Sequence, residues 1–158
     1  LMEELRAAGA DVTAVDARQR GFHLQVRAGK DCLECCAAIL RDANLYPVFM
    51  TAVHAQPHFL LHYQFAAAEQ NFRVMLSAPA DLENRARSLT QLFPGLQWHE
   101  REAHEMFGIV FENHPDLRPL FLCDEDRGLH PLRKDTGRLK TPEQLGCAFK
   151  PGTAGEAS

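Results

Sequence analysis

No stretch of the chain approaches the roughly 18 consecutive apolar residues that a membrane-spanning helix needs,. Basic charge is also short. Seventeen Lys and Arg face 21 Asp and Glu, a net charge of −4, so nothing draws the chain toward phosphate backbones and nucleic acid is not an expected partner. The five cysteines are odd in number, and three of them (Cys32, Cys35, Cys36) crowd into one predicted helix. That fits reduced cytosolic thiols rather than a disulfide framework. No basic segment, apolar segment and small-residue cleavage site open the chain, so secretion is not expected. Internal repeats, low-complexity tracts and a glycine-rich phosphate loop after a strand are absent as well.

What is there reads as one domain. With 158 residues, 46% of them hydrophobic, the chain can bury a real core,. Met2 to Ala8 suggests a short helix stopped by Gly9, followed by a brief strand from Val12 to Asp16,. Phe22, Leu24 and Val26 alternate with polar neighbours, the pattern of a half-buried strand,. Asp31 and Glu34 have the spacing of a capping box, ahead of an apolar stripe of Leu33, Cys36, Ala37 and Leu40,. Tyr46 to Ala55 and His58 to Phe65 read as strands joined at Gln56-Pro57, and Phe72, Val74 and Leu76 mark another strand,. Asp81 is then expected to cap a helix with the stripe Leu82, Ala86, Leu89 and Phe93, ended by Pro94-Gly95,. The Trp98–Phe107 helix follows, closed by Gly108. Strands in clusters rather than in strict alternation with helices predict an α+β fold: a two-layer domain over residues 1–111, a mixed sheet with helices on one face.

From Glu112 the pattern changes. Five of the nine prolines and five of the ten glycines lie beyond it, without a sustained helical or strand period. Structureless stretches longer than about 12–15 residues are uncommon in compact domains unless they are functional or disordered. Residues 112–158 are therefore expected to be an extended tail that wraps a partner, with disorder from about Pro151. Leu117, Leu120, Phe121, Leu122 and Leu132 are too many apolar residues for a free linker, and proline lowers the cost of ordering them on a neighbour. On this reading a cut before Glu112 spares the fold and abolishes assembly, and Arg133→Ala weakens assembly alone.

Candidate metal chemistry fails on spacing. A zinc-protease helix places two histidines at i and i+4, whereas His99 and His104 are at i and i+5, roughly 140° apart around a helix,. Cys32, Cys35 and Cys36 lack a fourth nearby thiolate for an iron–sulfur cluster, since Cys123 and Cys147 are far away in sequence,. His58 and His62 share a strand face about 13 Å apart, too far for one metal. There remains the dense charge of Glu100, Arg101, Glu102 and Glu105 beside Trp98, Met106 and Phe107. It suits either a solvated helix face or a covered protein interface.

Four blocks decide between these: Glu100-Arg101-Glu102, Met106-Phe107-Gly108-Ile109, His114-Pro115-Asp116-Leu117-Arg118 and Pro131-Leu132-Arg133-Lys134-Asp135. In this order and spacing they resemble the 30 kDa subunit family of respiratory complex I, the NADH–quinone oxidoreductases, with relatives in energy-converting [NiFe] hydrogenases. His104-Glu105 stands where complex I members usually carry Tyr-Asp, and Pro119 where a second Arg is common; the run Arg118 to Leu122 looks closer to the hydrogenase-associated branch. The resemblance implies a non-catalytic, cofactor-free subunit in the hydrophilic arm of a membrane-attached complex, at the cytoplasmic face. Its partners would be a large subunit related to [NiFe] hydrogenases and small subunits that carry the iron–sulfur clusters. The partner-binding residues would be Trp98, Glu100, Arg101, Glu102, Met106, Phe107, His114, Asp116, Arg118, Phe121, Arg133, Lys134 and Asp135. Among these, Arg118, Arg133 and Lys134 would meet acidic groups and fix register. The rivals are the equivalent hydrogenase subunit and, more distantly, a freestanding metal-dependent enzyme.

Overall fold

A computed structural model describes residues 1–134; Asp135, Cys147 and the segment from Pro151 lie outside the described residues. The chain begins with α1 (Met2–Ala7), β1 (Asp11–Ala14), α2 (Ala17–Arg20) and β2 (Leu24–Arg27). A 3₁₀ turn (Lys30–Cys32) leads into α3 (Leu33–Asp42), and β3 (Leu45–His54), β4 (Phe59–Ala67) and β5 (Arg73–Pro79) follow. The five strands form one mixed sheet in the order β1-β2-β5-β4-β3, antiparallel except for the parallel pair β2 and β5. This is the expected α+β fold with a mixed sheet.

Strand alternation sets the two faces. Val26, Leu76, Tyr63 and Met50 fall in one register row and are buried with the helices. The adjacent row, Gln25, Met75, Gln64 and Phe49, is half-buried on the opposite face. Pairing is continuous along β3 and β4 apart from a bulge between Pro47 and Phe49, where proline has no amide to give. The Gln56–Pro57 hairpin is present, its peptide bond cis.

Two local expectations fail. The capping box is not formed: Cys32 is the N-cap of α3 without a side-chain bond, and Glu34 reaches Arg87 instead, at 3.0 Å. Nor is there a helix from Asp81 to Phe93. Asp81 accepts the amides of Glu83 and Arg85 in a turn, with Asn84 in the left-handed region at φ 61°. A short strand follows, β6 (Arg85–Arg87), parallel to β7 (Val110–Glu112). Leu82 is exposed, while Ala86, Leu89 and Phe93 are buried. The apolar spacing is thus satisfied by an extended segment and a turn, because buried Glu100 takes the Leu89 amide that a helix would use.

Candidate functional site

The site is built on α4 (Gln97–Phe107), which starts from the 3₁₀ turn Pro94–Leu96 and stops at Gly108. Its inward side carries Glu100, Ala103 and Phe107, all buried. Glu100 has no exposed surface and, among the described residues, no cationic partner. Its two oxygens accept the Ser88 hydroxyl at 2.6 Å and the Leu89 amide at 2.9 Å. Burial pushes its pKa up to about 7 despite these bonds. Burial, with the Glu100 charge adding to it, also lifts the Tyr63 phenol well above its ordinary value.

The outward side of α4 carries Trp98, Arg101, Glu102 and Glu105, and the chain returns across it as a strap. Arg101 donates to the carbonyls of Arg118 and Pro119 at 2.9 and 2.7 Å. Glu105 accepts three successive amides, from Leu120, Phe121 and Leu122, at 3.1, 2.8 and 2.9 Å. Burial would raise the Glu105 carboxyl, but these amides and nearby Arg101 hold it below its ordinary value. Further along the strap, a 3₁₀ turn (Asp124–Asp126) leads to His130, which donates from Nδ1 to the Glu105 carbonyl at 2.9 Å. The Leu132 amide bonds the Met106 carbonyl at 3.1 Å, and Arg133 Nε the Phe107 carbonyl at 2.7 Å. The Gly108 amide takes the His104 carbonyl. A helix leaves its last four carbonyls without internal donors; in α4 all four are satisfied, three of them by the strap.

Both ends of the strap are tied down by histidines. His114 meets the Gln97 carbonyl through Nε2 at 3.1 Å and accepts the Asp116 amide at Nδ1. These roles define a neutral ring, and burial, foremost among the influences on it, lowers its pKa. At the far end the Lys134 amide donates to His54 Nδ1 at 3.0 Å. His54 stacks on Phe59 at 4.4 Å, and the Arg133 guanidinium lies 5.8 Å from the centre of the same Phe59 ring. Burial first, then Arg133 and Lys134, lower the His54 pKa.

These contacts correct three expectations. Glu100 and Phe107, expected to meet a partner, face inward and hold the domain together. Residues 112–134, left for a partner alone, are secured to α4 of their own chain. Arg133 is spent on the Phe107 carbonyl, so Arg133→Ala removes a contact within the chain and does not act on assembly alone, and a cut before Glu112 strips three carbonyls of α4 of their donors. Arg101 holds the strap, Met106 is half-buried, and His114 is tied to α4. Asp116 and Arg118 pair with each other, a bond that pulls the Asp116 carboxyl far below its usual range. Trp98, Glu102, Arg118, Phe121 and Lys134 remain exposed. Sequence reasoning missed His54, Phe59 and His130, which only the tertiary path of the strap brings to α4. Among the described residues, no group of three or more His, Cys, Asp or Glu is placed to hold a metal ion, and no helix is long and apolar enough to cross a membrane.

The site is thus a mixed-sheet α+β domain whose outer helix and strap display exposed apolar side chains on a hydrogen-bonded backbone. The chain belongs to the family of the respiratory-chain NADH dehydrogenase 30 Kd subunit, whose profile matches residues 25–142. The matching NADH-quinone oxidoreductase subunit of Laribacter hongkongensis is 37% identical over 115 residues, covering 71% of this chain and 55% of that protein. Its counterpart in Mesorhizobium japonicum is 45% identical over 73 residues, 46% of this chain and 36% of the relative. The chain thus spans about half, or less, of the length of these curated relatives. Among solved structures, a chain of the membrane-bound sulfane sulfur reductase, an archaeal respiratory membrane complex, superposes with a TM-score of 0.70 at 25% identity, covering 82% of this chain and 78% of the other. The trypsin-resistant fragment of Nqo5 has the same fold, with a TM-score of 0.59 at 23% identity over 73% of this chain and 95% of the fragment.

Proposed function

We propose that this chain is an accessory subunit, without a redox centre of its own, in a membrane-attached complex I-type NADH–quinone oxidoreductase. It holds the large hydrogenase-like subunit and the cluster-bearing subunits together. Family membership supports the kind of complex. The observation that carries the assembly role is the exposed apolar set on and beside the strapped helix: Trp98 and Phe121 at 66% and 65% exposure, with Leu129 and Leu132. Large side chains left in water on a backbone tied to the end of α4 suit the centre of a protein interface, where aromatics contribute most,. Arg118, with its side chain 83% exposed, supplies charge at the rim.

The test is co-purification of the tagged chain from its native host. Replacing both Trp98 and Phe121 by alanine should lose the large subunit while the free protein melts as before. Retention of the whole complex by that double variant would overturn the role. The equivalent subunit of an energy-converting [NiFe] hydrogenase is the second reading, favoured by the run Arg118-Pro119-Leu120-Phe121-Leu122. Nickel in the co-purified large subunit would establish that reading. Stoichiometric zinc or iron retained by the isolated chain after chelation would instead point to a freestanding metalloenzyme.

A further inference from the structure

The amino-terminal end of α3 carries a constellation that the strapped helix does not use: Cys32-Leu33-Glu34-Cys35, with Cys36 beside it. Cys32 is the N-cap residue and is already in helical backbone (φ −98°, ψ −8°), as is Leu33 (φ −55°, ψ −51°). The two cysteines therefore sit on one helical turn. From helix rise and radius, residues at i and i+3 have Cα atoms about 5 Å apart. That lies inside the roughly 4.4–6.8 Å that a disulfide spans. No side chain caps the helix, and neither sulfur is engaged in a cap bond.

The three thiols differ in access. Cys35 is exposed and Cys32 half-buried, its sulfur 3.2 Å from where a side chain on Gly9 would begin. Cys36 is buried in the core, and burial with its two thiol neighbours pushes its pKa up to about 12. It stays protonated and inert. An exposed thiol that can meet an oxidant, a shielded one that can resolve it and a third kept out of reach make a dithiol rather than three equivalent cysteines.

We propose that Cys32 and Cys35 form a reversible dithiol–disulfide pair whose substrates are small-molecule disulfides. In the first step the Cys35 thiolate attacks one sulfur of the substrate, forming a mixed disulfide and releasing one equivalent of the substrate's thiolate. Cys32, as its thiolate, then attacks the Cys35 sulfur, forming the intramolecular bond and expelling the second thiolate. The protein loses two protons and two electrons, and the substrate disulfide becomes two thiols. A dithiol reductant reverses both steps.

The test uses the full chain with Cys123→Ser and Cys147→Ser, so that only these three thiols remain, incubated with oxidised glutathione. The expected product has lost two of its three thiols and two hydrogens in mass, carries no glutathione, and regains the thiols with dithiothreitol. Cys32→Ser should instead hold one glutathione on Cys35 as a stable adduct. Cys36→Ala should still close. The proposal is overturned if the parent chain keeps its glutathione as firmly as Cys32→Ser does, if closure requires Cys36, or if the thiols stay inert in the folded chain while reacting once it is unfolded.

Discussion

Between β3 and β5 the side chains that face α3 and α4 are apolar and have almost no exposed surface, Tyr63, Phe65, Val74 and Leu76 among them. Between Arg118 and Arg133 the chain is fixed by polar hooks: a guanidinium on two carbonyls, a carboxylate on three amides, and three donors on the end of a helix. The first region is held by area removed from water, the second by the need of backbone groups for partners. Apolar burial tolerates many arrangements of similar side chains. Backbone hooks depend on single atoms, so the strap has few ways to sit and a small number of residues decide whether it does.

The difference can be sharpened by substitutions that act on one region at a time. Leu76→Ala, in the buried row of the central strand, should lower global stability by about 3 kcal/mol, as cavities in cores do. Calorimetry should show one cooperative transition shifted down. Glu105→Ala should release the strap locally, at a cost on the order of 2–3 kcal/mol for three amides deprived of an ionised acceptor. Hydrogen exchange would then rise at residues 120–122 while the sheet stays protected; equal loss of protection in the sheet would erase the distinction between the regions. The sign of the pH effect follows from the lowered Glu105 pKa. Its contribution is present above the ordinary glutamate value of 4.5 and is lost as pH falls through the lower folded value, so the strap should loosen in acid.

Glu100, on the same helix, should behave in the opposite sense. Its folded pKa of about 7 lies above the ordinary 4.5, so its favourable contribution is complete below 4.5 and is lost as pH rises through about 7. The stability of the native chain should fall over that window by an amount on the order of 3 kcal/mol, read as a declining melting temperature. Glu100→Gln should flatten the curve, and a variant with undiminished pH dependence would place the titration elsewhere. The smallest effect expected is that of Arg133→Ala. Loss of one bond to a carbonyl and of a partly exposed cation–π contact costs about 1 kcal/mol, read as faster proteolysis after Gly128 with little change in the main melt.

What the sequence disclosed follows the same division. Strand alternation at Phe22 to Val26 and Phe59 to Phe65, and the stripe Leu33, Cys36, Ala37 and Leu40, were readable because burial leaves a period. The segment from Asp81 to Phe93 mimicked a helical period, since Leu82, Ala86, Leu89 and Phe93 have its spacing. Its backbone is set by a carboxylate eleven residues downstream of Leu89, which no local pattern can express. The strap has no period because its partners are backbone atoms, and these are the same at every residue. The four family blocks pointed to the right region, but not to which members face inward: Glu100 is as charged as Glu102, and only the rotation of α4 separates them.

Gly108 has one further consequence. Its backbone is left-handed at φ +71°, the conformation that ends α4, and a side chain there would meet Arg133 Nη2 and, at 2.7 Å, His130 Nε2. A single position therefore serves as both the stop of the helix and the seat of the returning chain. Any larger residue strains the stop and displaces the Arg133 and His130 side chains together, since both demands fall on one carbon atom,. The two regions are interlocked here like a bolt and its socket. In the proposed assembly role, a surface fixed in this way would meet its neighbour without first having to order its own backbone.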